Sequence, residues 1–398
     1  MFLPQSTHRF TCDIFCRVIN NFGDASVCWR LAQQLANEYN WQIRLFIDEL
    51  TILAQLAPGL DAGRKQQVLS NVSIEYWDHS AFIEPSAKVL NIADVIIEAF
   101  ACDLPAPYIA AMAQRLSPVA WINLEYLSSE DWVSDFHLRQ SPHPRYALTK
   151  TFFFPGLYAQ TGGVLCEKNL NAQRRAFIES TTEQACWWTS LGLPQPDPAA
   201  TVVSLFSYEN SAINVLLEQW RDATNPLVLL VPQGKISGSI ARFFGRSMGL
   251  RAFSAGMSAS VCSLSAYSLP FTDQIGYDKL LWSSHINFVR GEDSFVRAQW
   301  ARKPFVWHIY AQADNAHLPK LDAALANISS ALKPPARDAL TRFSNAWNSY
   351  PAHSPPDWLD FIRHREAFEE NANSWANKLA SIGDLAQHLA AFVQNILK

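Results

Sequence analysis

The chain lacks the cysteine pattern of a disulfide framework or a zinc site. Its seven cysteines are odd in number and scattered, and Cys12 and Cys16 have no second Cys/His pair at metal-ligand spacing. Reduced thiols, and no bound metal, are the expectation. Positive charge is not in excess either: the net charge is −4, so a broad electrostatic footprint for nucleic acid is not expected. No apolar run reaches the length of a membrane span. The opening residues lack the basic-then-apolar design of a secretory signal. Together these absences predict a cytoplasmic protein with neither a membrane nor a nucleic-acid partner. A G-x-G-x-x-G fingerprint is missing too, which leaves a nicotinamide enzyme with little support.

What is present is ample core-forming material. The chain has 398 residues, 49% hydrophobic and 17% charged, more than one ordinary core accommodates, so two domains are expected. Strand-like runs at 13–19, 42–47, 72–77, 95–100 and 119–124 alternate with helical patterns at 26–39, 49–56 and 107–116. In the first helix Val27, Leu31, Leu35 and Tyr39 recur at helical spacing. Periodicity lapses at 141–163, which reads as the passage between domains. A second series follows, with strands at 202–206, 227–231, 267–271, 285–289 and 305–309 and helices at 213–220 and 277–282. A helical tail covers 318–326, 337–347, 358–378 and 382–397.

Such alternation predicts parallel sheets with helices on both faces. The fold class is α/β of GT-B type, with two doubly wound, Rossmann-like domains facing a central cleft. The first domain is expected over 1–155, completed by a C-terminal helix at 380–398, and the second over 156–379. Phosphorylases and epimerases share this architecture, so it does not fix the chemistry.

Two segments carry the chemical signal. Arg290-Gly291-Glu292-Asp293-Ser294 follows an apolar run and leads into a helix predicted from Ser294 to Ala301. A strand, a tight glycine turn and a helix start leave several backbone N–H groups unpaired at one point, which attracts phosphates. The same residues also read as a capped helix after a core strand. Near the N-terminus, Asn20-Asn21-Phe22-Gly23-Asp24 separates the first strand from the first helix. Ligands of open α/β sheets bind in such loops, beyond the carboxyl ends of the strands. Asp24 would sit there, or would serve only as an N-cap.

These segments resemble the EarP family, bacterial protein-arginine rhamnosyltransferases that modify elongation factor P. The resemblance covers most of the chain. It is carried by residues 14–24 (Ile-Phe-Cys-Arg-Val-Ile-Asn-Asn-Phe-Gly-Asp) and by Cys28-Trp29-Arg30-Leu31-Ala32. It continues in Glu98-Ala99-Phe100-Ala101-Cys102-Asp103-Leu104-Pro105 and Asn123-Leu124-Glu125-Tyr126-Leu127-Ser128. In the second half it rests on residues 290–299 and on Trp307-His308-Ile309-Tyr310-Ala311-Gln312.

The resemblance implies a nucleotide sugar, dTDP-β-L-rhamnose, as donor and no further cofactor. It implies an inverting, metal-independent transfer onto one arginine of elongation factor P. Motif by motif, it makes Asp24 the catalytic carboxylate and places Phe22 and Gly23 around the sugar. Phe271 would pack on the thymine, Gln274 would touch the nucleotide and Tyr208 the donor phosphates. Arg290, Glu292, Asp293 and Ser294 would form the donor-binding turn, with Glu292 also critical for activity. On residue type alone, Phe271 reads equally as core, Tyr208 as a surface-anchored ring, and Gln274 carries no signal. Glu125 and Tyr126 are candidate acceptor contacts, or an exposed charge and a half-buried ring.

One position departs from the family pattern, which has Asp where this chain has Asn20. Two carboxylates four apart would align a planar, five-donor guanidinium. Asn20 keeps an acceptor oxygen and loses the charge, worth roughly 1.5–3 kcal/mol in a charged hydrogen bond. Two rival readings stay open: a GT-B enzyme acting on a small molecule or glycan, and a catalytically weakened protein that binds elongation factor P.

Overall fold

The computed structural model describes residues 9–19, 22–78, 91–349, 351 and 354–397. The chain divides into two compact units, Met1–Lys168 with Leu379–Lys398, and Asn169–Lys378.

The first unit runs β1 (Thr11–Cys16), α1 (Phe22–Glu38), β2 (Gln42–Ile47), α2 (Leu50–Leu56), β3 (Gln66–Leu69), β4 (Val72–Tyr76), β5 (Val95–Ala99), α3 (Ala106–Ala113), β6 (Ala120–Leu124), α4 (Trp132–Phe136), β7 (Gln140–Pro142) and β8 (Thr149–Phe153). Its eight strands lie in the order β3-β4-β2-β1-β5-β6-β8-β7. Every pairing from β4 to β8 is parallel, and only the short edge strands β3 and β7 run antiparallel.

Side chains alternate across β1, as a sheet covered on both faces requires. Cys12, Ile14 and Cys16 enter one core with Ala25, Cys28, Leu31, Ala32 and Leu35 of α1. Phe15 enters the other with Phe46, Trp77, Tyr108 and Trp121. The stretch 141–163 is not a passage between units: it supplies β8 and the end of β7 to this sheet. β8 was hidden because only Thr151 and Phe153 are buried in it, beside polar and half-exposed neighbours.

The second unit contains α5 (Leu170–Glu179), α6 (Thr181–Ser190), β9 (Thr201–Leu205), α7 (Ala212–Arg221), β10 (Leu227–Pro232), α8 (Ser237–Met248), β11 (Ser258–Val261), β12 (Leu264–Leu269), α9 (Gln274–Ser283), β13 (Ile286–Arg290), α10 (Gly291–Ala301), β14 (Phe305–His308), α11 (His317–Ile328), α12 (Pro334–Ser349), α13 (Trp358–Arg363) and α14 (Arg365–Ile382), whose last turn returns to the first unit. The six strands lie in the order β11-β12-β10-β9-β13-β14, parallel except for β11. The helix expected over 358–378 is two helices, broken at His364. The closing α15 (Leu385–Ile396) sets Leu385, Ala386, Leu389, Ala390 and Val393 into the α1 core of the first unit. Among the described residues no helix is long and apolar enough to cross a membrane.

Candidate functional site

Each sheet has one point where the strand order reverses. In the first unit it lies between β1 and β5, and in the second between β9 and β13. The loops leaving these strands at their carboxyl ends are where an open α/β sheet binds its ligands. Of the described residues singled out from the sequence, Phe22, Gly23 and Asp24 open α1 after β1, and Glu125 and Tyr126 follow β6. Tyr208 follows β9, Phe271 and Gln274 follow β12, and Arg290 to Ser294 span the junction of β13 and α10.

In the first unit, the chain leaving β1 is fixed by two carboxylates. The Val18 N–H donates to Asp48 Oδ1 at 2.8 Å, and the Ile19 N–H to Asp24 Oδ2 at 2.9 Å. Asp24 lies inside the first turn of α1 and is 2% exposed. A carboxylate so placed is oriented by its amide partner and favoured by the helix dipole. Phe22 packs half-buried against the α1 core, with Gly23 beside it. Asn20 lies outside the described residues. After β6, the Asn123 side-chain amide donates to Glu125 Oε1 at 2.5 Å. Burial pushes the Glu125 carboxyl up, Lys150 pulls it down, and Glu98 pushes it up again. Tyr126 stacks on Phe100 with ring centroids 4.4 Å apart.

In the second unit, β13 delivers Arg290 in extended conformation directly into α10. The helix therefore begins at Gly291, not at Ser294, and its first turn carries both Glu292 and Asp293. Gly291 has φ +67, a left-handed conformation that glycine adopts without a Cβ clash. Its carbonyl accepts the Trp307 indole N–H at 2.9 Å. The Arg290 guanidinium lies between two rings, 4.3 Å from the Phe206 centroid and 4.9 Å from that of Tyr208, and donates to the Ser207 carbonyl at 3.4 Å. Among the described residues no carboxylate forms an ion pair with it, and burial pushes its pKa down. Glu292, by contrast, is paired with Lys320 at 3.1 Å.

Tyr208 also meets His308 and Tyr310 edge-on, at 5.3 and 5.6 Å. It is a half-buried member of an aromatic cluster rather than a lone surface ring, and burial raises its hydroxyl pKa. Burial, with Arg290 and His317 adding, pushes His308 down to about 3, and its Nδ1 lies 2.8 Å from Ser207 Oγ. β12 ends at Leu269, before Pro270, so Phe271 lies in the following loop and is 38% exposed, not in the core. Gln274 opens α9 and is buried, with Asp273 capping that helix through the Gly276 N–H at 2.7 Å. Ser294 is buried one turn into α10.

The second unit thus sets the Arg290 guanidinium, which has no acidic partner among the described residues, beside the start of α10, where backbone N–H groups point along the helix axis. Sequence reasoning does not single out Asp48, Phe206 or Lys320, which orient the loop, the guanidinium and Glu292. Phe206 ends an apolar run before a tyrosine, and that is its only sequence signal. A concavity of about 1220 Å3 among α11, α12 and α13 includes none of the residues singled out from the sequence. Among the described residues no three His, Cys, Asp or Glu side chains gather as a metal site.

The family described as "Elongation-Factor P (EF-P) rhamnosyltransferase EarP" matches residues 12–394. A protein-arginine rhamnosyltransferase of Pseudomonas putida is 41% identical over 390 residues, 98% of this chain and 100% of its own. That of Pseudomonas aeruginosa is 40% identical, covering 96% of this chain and 98% of its own. A solved structure described as the structural basis for EarP-mediated arginine glycosylation of translation elongation factor EF-P superposes with a TM-score of 0.67 at 30% identity, over 97% of this chain and 99% of that one. A glycosyltransferase from Rickettsia africae shares the fold at 8% identity, with a TM-score of 0.53 over 98% of this chain and 99% of that one.

Proposed function

The chain belongs to the EarP family of elongation factor P rhamnosyltransferases, and on that premise we propose that it moves L-rhamnose from dTDP-β-L-rhamnose to an arginine side chain of elongation factor P. The transfer is a single inverting displacement, with the arginine nitrogen entering opposite the departing thymidine diphosphate. No metal and no further cofactor takes part in this reading.

The observation that carries it is the placement of Asp24, a buried carboxylate oriented by the Ile19 amide at the reversal point of the first sheet. Free arginine stays protonated, with a pKa above about 12, and is a poor nucleophile. A base held against the attacking nitrogen takes its proton as the new bond forms, so alignment contributes more than prior deprotonation. Asp24 is that base, with Phe22 and Gly23 shaping the space around the sugar. Asn20 with Glu125 and Tyr126 receives the acceptor.

On the donor side, Arg290 and the first amides of α10 meet the diphosphate as its charge grows. Tyr208 contacts the phosphates, and the exposed ring of Phe271 packs on thymine. Gln274 bonds the base, while Glu292, Asp293 and Ser294 hold the sugar-diphosphate. The pairing of Glu292 with Lys320 moderates the repulsion that two carboxylates would otherwise direct at a diphosphate.

Incubating the chain with dTDP-rhamnose and unmodified elongation factor P tests this. Mass spectrometry is expected to show the factor gaining one deoxyhexose on arginine. An unchanged factor, or sugar found on a small-molecule acceptor instead, rejects the reading.

A further inference from the structure

Glu98, near the end of β5, is a buried carboxylate that the proposed chemistry leaves without a role. It is 1% exposed and gathers donors from three parts of the first unit. Lys150 Nζ of β8 lies 2.9 Å from Oε2, and the Trp121 indole N–H of β6 donates to the same oxygen at 3.1 Å. The Asp103 backbone N–H donates to Oε1 at 3.2 Å.

That last bond closes an unusual turn. Phe100, Ala101 and Asp103 all have left-handed φ, at 57, 50 and 58°, although none is glycine. Side chains disfavour this conformation, so it persists only where the surroundings over-determine it. Here the Phe100 N–H donates to the Leu124 carbonyl at 2.7 Å, and the Cys102 thiol to the Phe15 carbonyl at 3.4 Å. The turn is thereby tied to β6 on one side and to the end of β1, the strand that leads to Asp24, on the other.

Two acceptor-side residues depend on this arrangement. Tyr126 stacks on Phe100, the first residue of the turn. Glu125 faces both Glu98 and Lys150, which act on its carboxyl in opposite directions. Holding a turn needs only a neutral acceptor such as glutamine. Burying a full charge is expensive unless it is paired, and setting it near a second carboxylate adds repulsion. A purely architectural residue has no use for either.

We propose that Glu98 is a positioning residue for the acceptor: its buried carboxylate fixes the left-handed turn beneath Tyr126 and, together with Lys150, sets the charge presented by Glu125 to an arginine side chain. This rests on the function proposed above and names the device that prepares its acceptor half. Among the described residues, the charged or titratable groups that act on Glu98 include Lys150 from β8, Glu125 from the loop after β6 and Cys102 from the turn, while Asp103 meets it through its backbone N–H.

The test compares Glu98→Gln and Lys150→Met in the full chain, using calorimetric binding of unmodified elongation factor P and, separately, of thymidine diphosphate. Glu98→Gln is expected to weaken elongation factor P binding about ten- to a hundredfold, and to change thymidine diphosphate affinity by less than about twofold. The two variants also move the acid limb of elongation factor P binding in opposite directions. Removing Glu98 takes away a charge that raises the Glu125 carboxyl, so its limb shifts to lower pH. Removing Lys150 takes away one that lowers it, so its limb shifts to higher pH. A merely structural role would lower both affinities together and leave the limbs unsplit, and that result overturns the proposal. So does wild-type affinity in Glu98→Gln, or two limbs that move the same way. Should Glu98→Gln not fold, the direction of the Lys150→Met limb decides alone. A wild-type chain that binds elongation factor P yet transfers no rhamnose to it rejects the function and leaves this binding result standing.

Discussion

On the proposed reading, Asp24 and Asn20 divide the work that the family resemblance gives to two carboxylates. Asparagine at position 24 would still accept the Ile19 N–H through its amide oxygen, so the loop after β1 should keep its shape. What it loses is the ability to take a proton. Asp24→Asn is therefore expected to reduce rhamnose transfer to background while thymidine diphosphate affinity stays as in the wild type. Single-turnover mass spectrometry and calorimetry measure the two separately, and near-normal transfer would remove Asp24 from the base role. The reverse argument applies at position 20. Restoring the charge with Asn20→Asp should strengthen acceptor binding, or speed transfer, about ten- to a hundredfold, the equivalent of one charge-assisted hydrogen bond. An unchanged KM and kcat would mean that the first loop aligns the guanidinium without that charge.

At the scale of elements, the proposed donor side depends on how α9 is held against α10, because Gln274 opens one and Glu292 to Ser294 lie at the start of the other. The clamp is a buried bidentate ion pair, with Arg297 Nε and Nη2 donating to Asp278 at 2.8 and 2.6 Å. Removing one partner strands a buried charge, whereas replacing both with apolar residues of similar size is close to neutral. Arg297→Met should destabilise the second unit by about 3–5 kcal/mol in urea denaturation and weaken thymidine diphosphate binding. Asp278→Leu with Arg297→Met should recover most of the stability. A single variant as stable as the wild type would show that packing alone joins the helices.

The legibility of these elements follows what each one buries. The central strands β1, β2, β5, β6, β9, β10 and β13 are near-continuous apolar runs because both faces are covered, and such runs stand out. The antiparallel edge strands β3, β7 and β11 bury little, so their polar sequences carry no period, whereas the parallel edge strand β14 is largely buried and stands out. α5 and α6 bury only Leu170, Phe177 and Trp188 among them, too few to mark a helical stripe. In α1 the sequence shows the stripe of Leu31 and Leu35 but not the burial of Ser26, Arg30 and Gln34 on another face. Gln34 there bonds the Cys166 carbonyl and Asp384, and Arg30 pairs with Glu167. The candidate positions came from the strand-to-helix order and from the family resemblance, and the structure sets Asp24, Gln274 and Glu292 at the starts of helices. Its partners, such as Asp48 for Val18 and Lys320 for Glu292, are set by strand order and helix packing, which no local window contains.

For the whole molecule, the response to acid is set by histidines that are half-buried, His137 in the first unit and His285 in the second, or buried, His308 in the second. His137 in the first unit and His285 in the second are each pushed down to about 4, mainly by burial, and His308 to about 3. His388 adds to the effect at His137, and Arg365 and Lys303 add to it at His285. A folded-state pKa below the ordinary value of 6.5 means that the native protein holds the neutral ring while the unfolded chain takes up a proton. Their contribution to stability is therefore full above about pH 6.5 and is lost as pH falls from there toward 4 and below. Glu125 and Asp384, raised by burial, act in the opposite sense. The fold takes up these two protons before the unfolded chain does, so they offset part of the loss that the three histidines cause between pH 6.5 and about 5. The melting temperature should fall across that interval, and His308→Asn, which leaves an amide near Ser207 but nothing to protonate, should flatten the fall. Because the second unit carries two of the three histidines, a calorimetric trace that resolves two transitions should show the larger pH dependence in the transition of that unit. A melting temperature that stays level or rises on acidification from pH 6.5 to 5 would mean that these rings are protonated in the fold.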